Sequence, residues 1–194
     1  MIFELWRYRQ ALRNFIVRNL TVRYKRSLLG LVWSLINPLM LIITFVIVFK
    51  YIWQRPEPNY SVQLVTALLA WRFFNSAVMD MSASVSARLG LIKRVAFPRL
   101  ILPTASLAAN FVDYLFSLSI LVAMFVAVRV TVDWDNLPVA LAALVIQIIF
   151  TYGFGLILAT LSVYYTDVQF LVGSLFQMWF FLSPVVYSVK DIAE

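Results

Sequence analysis

The chain is 194 residues long, carries a formal net charge of +7 and contains neither cysteine nor histidine. Its 63% hydrophobic and 13% charged residues stand against about 45–50% and about 25% in soluble domains, more apolar surface than a water-soluble fold of this size can hide. The missing residue types exclude disulfides, the common zinc, copper and haem sites, and histidine-assisted nucleophiles, and the basic residues flank long apolar runs, which fits a membrane rather than a nucleic acid.

Residues 1–30 predict an amphipathic helix. At about 100° per residue, Leu5, Tyr8, Leu12, Phe15 and Ile16 share one arc, and Arg7, Gln10, Asn14 and Arg18 fall opposite. Such a helix lies in the cytoplasmic interface with its arginines toward anionic head groups of membrane lipids. Basic residues spread over thirty positions do not read as a signal peptide.

Five segments then approach the roughly 20 mostly apolar residues a spanning helix needs. They are 31–53, interrupted by Asn37, Pro38 and Lys50; 62–87, carrying Arg72, Asn75 and Asp80; 105–128, with Asp113; and the uncharged 137–164 and 170–187. None alternates like a barrel strand, and lipid requires backbone groups to bond within the segment. The expected fold is an all-α polytopic membrane bundle, an N-terminal amphipathic interface helix followed by five transmembrane segments. Eleven of the sixteen basic residues lie in residues 1–30 or in the loop 88–104, so the positive-inside bias predicts a cytoplasmic N-terminus.

Four motifs stand out. Arg23-Tyr24-Lys25-Arg26-Ser27 runs into Gly30, Trp33 and Pro38, a basic cluster meeting an apolar helix that Pro38 should kink. Lys93-Arg94-Val95-Ala96-Phe97-Pro98-Arg99, with Pro103 beyond, predicts a short basic piece outside the membrane, where the prolines break the preceding helix. It reads either as a plain positive-inside loop or as a docking element. Tyr164-Tyr165-Thr166-Asp167 forms an inner turn, and Ser183-Pro184-Val185-Val186-Tyr187 breaks the last segment at the outer surface. No Gly-x-x-x-x-Gly-Lys phosphate loop occurs. Asp133 and Asp135 flank Trp134 in an outer loop and read as solvated. Nothing argues for a catalytic site.

In order and spacing these motifs resemble the membrane subunit of ABC type 2 exporters, the polysaccharide branch (O-antigen, capsule or teichoic acid) most of all. The resemblance runs from Arg23 to Tyr187. It implies a permease in the bacterial cytoplasmic (inner) membrane, moving a lipid-linked polysaccharide. Two copies would form a homodimeric pore, and a separate nucleotide-binding subunit would hold ATP and Mg, leaving no cofactor on this chain. The loop 88–104 would be the coupling element, with Lys93, Arg94, Phe97, Pro98 and Arg99 as contact residues. Arg23, Tyr24, Ser27, Gly30, Trp33 and Pro38 would form the membrane-interface motif, and Ser183, Pro184 and Tyr187 an outer gate. A related permease for a drug, peptide or other small amphipathic substrate is the alternative. A polymer-modifying enzyme is disfavoured by the missing histidine and paired carboxylates, and a passive scaffold would need no docking helix. Thr166 departs from the family pattern, which has arginine there, and the chain ends at Glu194, before the sixth span of the family, so it is expected to be incomplete.

Aromatics make up 16% of the chain. Phe45, Phe49 and Trp53 follow one helical line, and Phe176, Trp179 and Phe180 cluster on another. Both sets read either as lipid-facing rings or as a slide for the apolar faces of sugars. Charges inside spans are costly and face protein or water. Arg72, Asp80 and Asp113 are therefore expected to pair with one another, or Arg72 to meet an anionic lipid-diphosphate head group.

Overall fold

The computed structural model describes residues 6–24, 36, 39–40, 43–44, 47–48, 60–94, 97–128 and 134–185. Among them every regular element is a helix: α1 (Arg9–Tyr24), α2 (Tyr60–Ser86), α3 (Leu89–Arg94), α4 (Ile101–Val128), α5 (Leu137–Tyr164) and α6 (Val168–Leu182), with a 3-10 turn at Trp134–Asn136. The all-helical bundle expected from composition is what forms. Val62–Ser86, Ile101–Ala123 and Trp134–Tyr164 are each long and apolar enough to cross a membrane. The segment 31–53 lies mostly outside the described residues, as do Ser27, Gly30, Trp33, Pro38, Phe45, Phe49, Trp53 and Tyr187.

The bundle is built around α2. Val65, Leu69, Phe73 and Ala77 recur every fourth position and meet Tyr114 and Leu121 of α4. Phe74 and Val78, one residue round the helix, meet Leu158 of α5 and Val172 and Phe176 of α6. Helices in lipid gain little from hiding apolar surface, so close fit and polar bonds must hold them. The close fit comes from Thr151, Gly155, Ala159 and Ser162, a buried file of small residues on α5. A Cβ at Gly155 would lie 2.5 Å from Met81 Sδ of α2, so any larger residue here would push the buried Met81 side chain aside. The polar bonds include Gln147 Nε2 donating to the Ala70 carbonyl at 2.7 Å, and Thr104 and Tyr152 hydroxyls 3.0 Å apart between α4 and α5. Half of the apolar window of α2 is buried but only 17% of that of α5, which makes α2 the core and α5 an outer helix.

Prolines set several ends. Pro138 occupies the first turn of α5, where its missing N–H is not needed. Pro103 behaves the same way: rather than stopping the helix before residue 105, it sits in the first turn of α4, which already begins at Ile101. At Ser183 the backbone turns extended (φ −88°, ψ 147°), because the ring of Pro184 disfavours helical backbone in the residue before it. Thus α6 stops at Leu182, not at 187, and its fifteen residues rise about 22 Å, less than the roughly 30 Å hydrocarbon core.

Candidate functional site

The side of α1 turned to the bundle is the arc read from sequence: Tyr8, Leu12, Phe15 and Ile16 are half-buried, while Arg7, Gln10, Asn14 and Arg18 are exposed. Leu5 lies outside the described residues. This arc rests largely on α4. Its last polar member, Arg23, joins three helices. One guanidinium nitrogen pairs with Asp113 of α4 and the other with Asp80 of α2. The second nitrogen also donates to Asn110 Oδ1 at 3.2 Å. Asn110 Nδ2 in turn donates to Asp80 Oδ2 at 2.8 Å and to the Ser106 carbonyl at 2.9 Å. A planar fork suits this task, because it can serve two carboxylates in fixed directions where an ammonium offers a point charge.

Both intramembrane carboxylates therefore share Arg23 as a partner. Arg72 is half-buried and stands eight residues before Asp80 on α2, about 12 Å along the axis.

One turn past α2 lies a second junction. Arg88 donates to Asn19 Oδ1 of α1 at 2.7 Å and to the Ser84 carbonyl at 3.3 Å. Its guanidinium stands 6.0 Å from the centre of the Phe15 ring, within cation–π range. Burial first, and then the charge of Arg18, hold Arg88 below the usual arginine range, while Asp80 opposes them. The Phe15 and Phe97 rings lie 5.7 Å apart. Together with Ile92 they pack on the buried Val85, Leu102 and Ala159. The short helix α3 is thus fastened from behind to α1, α2, α4 and α5, while Lys93 and Arg94 in its last turn and Arg99 beyond it are exposed. Phe97 and Pro98 are half-buried.

Toward the other end, rings from three helices interlock. Phe74 lies 5.1 Å from Phe176 and 5.6 Å from Trp179, and Trp71 lies 5.8 Å from Phe180 (ring centroids). Phe176 is 2% exposed and belongs to the core, whereas Trp179 is 39% exposed. An open cleft of about 330 Å³ runs beside them, lined by Trp71, Phe150, Trp179, Gln147 and Ser183 among others. Ser183 and Pro184 follow the end of α6 at this cleft.

Asn19, Asn110, Gln147 and the small-residue file on α5 are not among the motifs the sequence makes prominent. Signals for them existed. At about 100° per residue, Asn19 and Arg23 fall on the apolar arc of α1, away from Arg7 and Arg18. Asn110 and Asp113 are three apart inside an apolar run, and Thr151, Gly155 and Ala159 are spaced by four, the pattern of close helix contact in membranes.

Comparison with known proteins agrees with this architecture. Residues 10–194 match the family model described as ABC-2 type transporter. The chain is 31% identical over 196 residues to a Myxococcus xanthus protein named O-antigen export system permease protein RfbA, spanning 100% of this chain and 74% of that protein. A Klebsiella pneumoniae protein of the same name is 29% identical over 180 residues, spanning 91% of this chain and 68% of its own length. With its multi-pass apolar helices and a family match over nearly its whole length, the chain belongs to the ABC-2 type transporter family.

Proposed function

We propose that the chain is the membrane-spanning permease subunit of an ATP-driven exporter that carries a lipid-linked polysaccharide, of the O-antigen, capsule or teichoic acid type, across the cytoplasmic membrane. Relatives named as O-antigen export permeases support the cargo class. The observation that carries the mechanism is the mounting of α3. Its exposed Lys93 and Arg94 project from a knob whose back, through Ile92 and the neighbouring Phe97, is packed into α1, α2, α4 and α5. A separate ATPase subunit, binding ATP and Mg, pushes on this knob. The packed junction passes the push to several helices at once, as a change between two states requires. In this reading the end carrying Arg88, Lys93, Arg94 and Arg99 is cytoplasmic, as is the N-terminus, and a second copy of the chain completes the pore.

The cleft supports a sugar polymer as cargo. Trp71 and Trp179 offer flat apolar faces, and Gln147 and Ser183 offer polar edges, beside an otherwise apolar wall. Phe176 backs Trp179 from the core and does not itself touch the polymer. The proposal is tested by expressing Phe97→Ala and Arg94→Glu in cells lacking the wild-type chain. Both variants are expected to insert normally and to lower export. Export at the wild-type rate, at wild-type protein level, by both of them would overturn it.

A further inference from the structure

A cavity of about 300 Å³ opens at the basic end, between α3, the start of α4 and the last turns of α5. Its walls are largely apolar, with Val85, Leu89 and Ile92 on one side and Leu156, Ala159 and Val163 on the other. Two cations, Lys93 and Arg99, stand on its lining, and no carboxylate does. Among the described residues neither cation makes an ion pair, whereas Arg23 at the neighbouring network is paired twice. The α5 side of the cavity, at Thr160, Val163 and Tyr164, belongs to the outward surface of the bundle. Ile157, Leu161 and Tyr164 there are 60%, 41% and 76% exposed, and in a membrane that surface meets lipid. The cavity thus adjoins an exposed apolar surface of α5, is largely apolar within and carries two cations on its lining. Its size is at the lower end of ligand pockets, about 300–1,000 Å³.

We infer that this cavity is a binding site for one anionic phospholipid of the leaflet at the basic end. The phosphate is held by Lys93 and Arg99, and part of an acyl chain lies along Leu156 and Val163. The occupant is a bilayer lipid because its two halves match the two halves of the site and because the opening lies on the lipid-facing helix. The lipid bridges α3 to α5, so the knob senses the charge of the membrane around it. This inference concerns the chain alone and is read without ATP hydrolysis or export, so its failure would leave the export reading untouched.

The test uses the full chain in uncharged detergent micelles, titrated with fluorescent phosphatidylglycerol and, separately, with phosphatidylcholine of the same chain length. Saturable binding of phosphatidylglycerol over phosphatidylcholine is expected. Lys93→Glu with Arg99→Glu should weaken it by about thirtyfold or more, the effect of losing two near-surface cations. Thr160→Trp, which fills the mouth and leaves both cations in place, should weaken it as well. Equal binding of the two lipids, or retention of phosphatidylglycerol binding by both cavity variants, would overturn the site. Displacement of phosphatidylglycerol by an equimolar polyprenyl diphosphate, or by the purified ATPase subunit, would assign the cavity to cargo or motor and equally overturn it.

Discussion

Replacing Arg23 by alanine withdraws the guanidinium that stands between Asp80 and Asp113 on two different helices. Breaking one side of a buried ion pair costs about 3–5 kcal/mol, and an exposed pair contributes about 0–1 kcal/mol. The side chains here are 33% (Arg23), 46% (Asp80) and 17% (Asp113) exposed, which places the network between these limits. About 2 kcal/mol is expected, a fall of about 4–8 °C in the midpoint of thermal unfolding for a chain of this length. Much of that cost is the repulsion left between two carboxylates, not the loss of contacts. Neutralising them as well, with Asp80→Asn and Asp113→Asn in the Arg23→Ala background, should therefore recover a large part of the midpoint. Arg23→Lys should fall between wild type and Arg23→Ala, because a point charge cannot fork to both partners. The assay is thermal unfolding of the purified chain in detergent. Costs of Arg23→Ala and Asp113→Asn that add within about 0.5 kcal/mol, with no recovery in the triple variant, would refute the reasoning.

Two further outcomes follow from packing. Gly155→Ala would place a methyl 2.5 Å from Met81 Sδ and 3.2 Å from Met81 Cβ, and Met81 is fully buried; a cost of about 1–3 kcal/mol is expected, whereas Gly153→Ala meets open space and should be neutral or favour the helix by up to about 1 kcal/mol, both read by thermal unfolding. Phe176→Ala empties a fully packed place and should cost about 3–5 kcal/mol of folding, while Trp179→Ala, at a ring that is 39% exposed, should cost less than that and slow polymer export, measured as surface polysaccharide per copy of permease.

What could be read in advance depended on how far apart the causes lie in the chain. The inward arc of α1 and the stop at Ser183 follow from neighbours a few residues away, by helical period and by the proline that follows. From the sequence Pro103 reads as a break, because a proline inside a helix usually is one; its place in the first turn depends on where α4 starts, which the Phe97-Pro98-Arg99 turn decides. The two intramembrane carboxylates are recognisable in the sequence as needing a cation. Arg23, which pairs with both, comes from α1, 57 and 90 residues away, and only the docking of α1 along α4 brings it there. The core position of Phe176 beside the more exposed Trp179 was equally hidden, since both are aromatic and three residues apart; which one faces α2 is set by the register of three helices.

The separation of ninety positions between Arg23 and Asp113 also imposes an order on biosynthesis. The amphipathic helix leaves the ribosome long before its anchor has been translated. It must wait at the bilayer surface with its guanidinium hydrated until the helix bearing Asn110 and Asp113 is inserted. That later helix arrives with an acidic group in a greasy stretch and finds the counter-charge already in place, so seating the N-terminal helix doubles as the step that completes insertion of the interior.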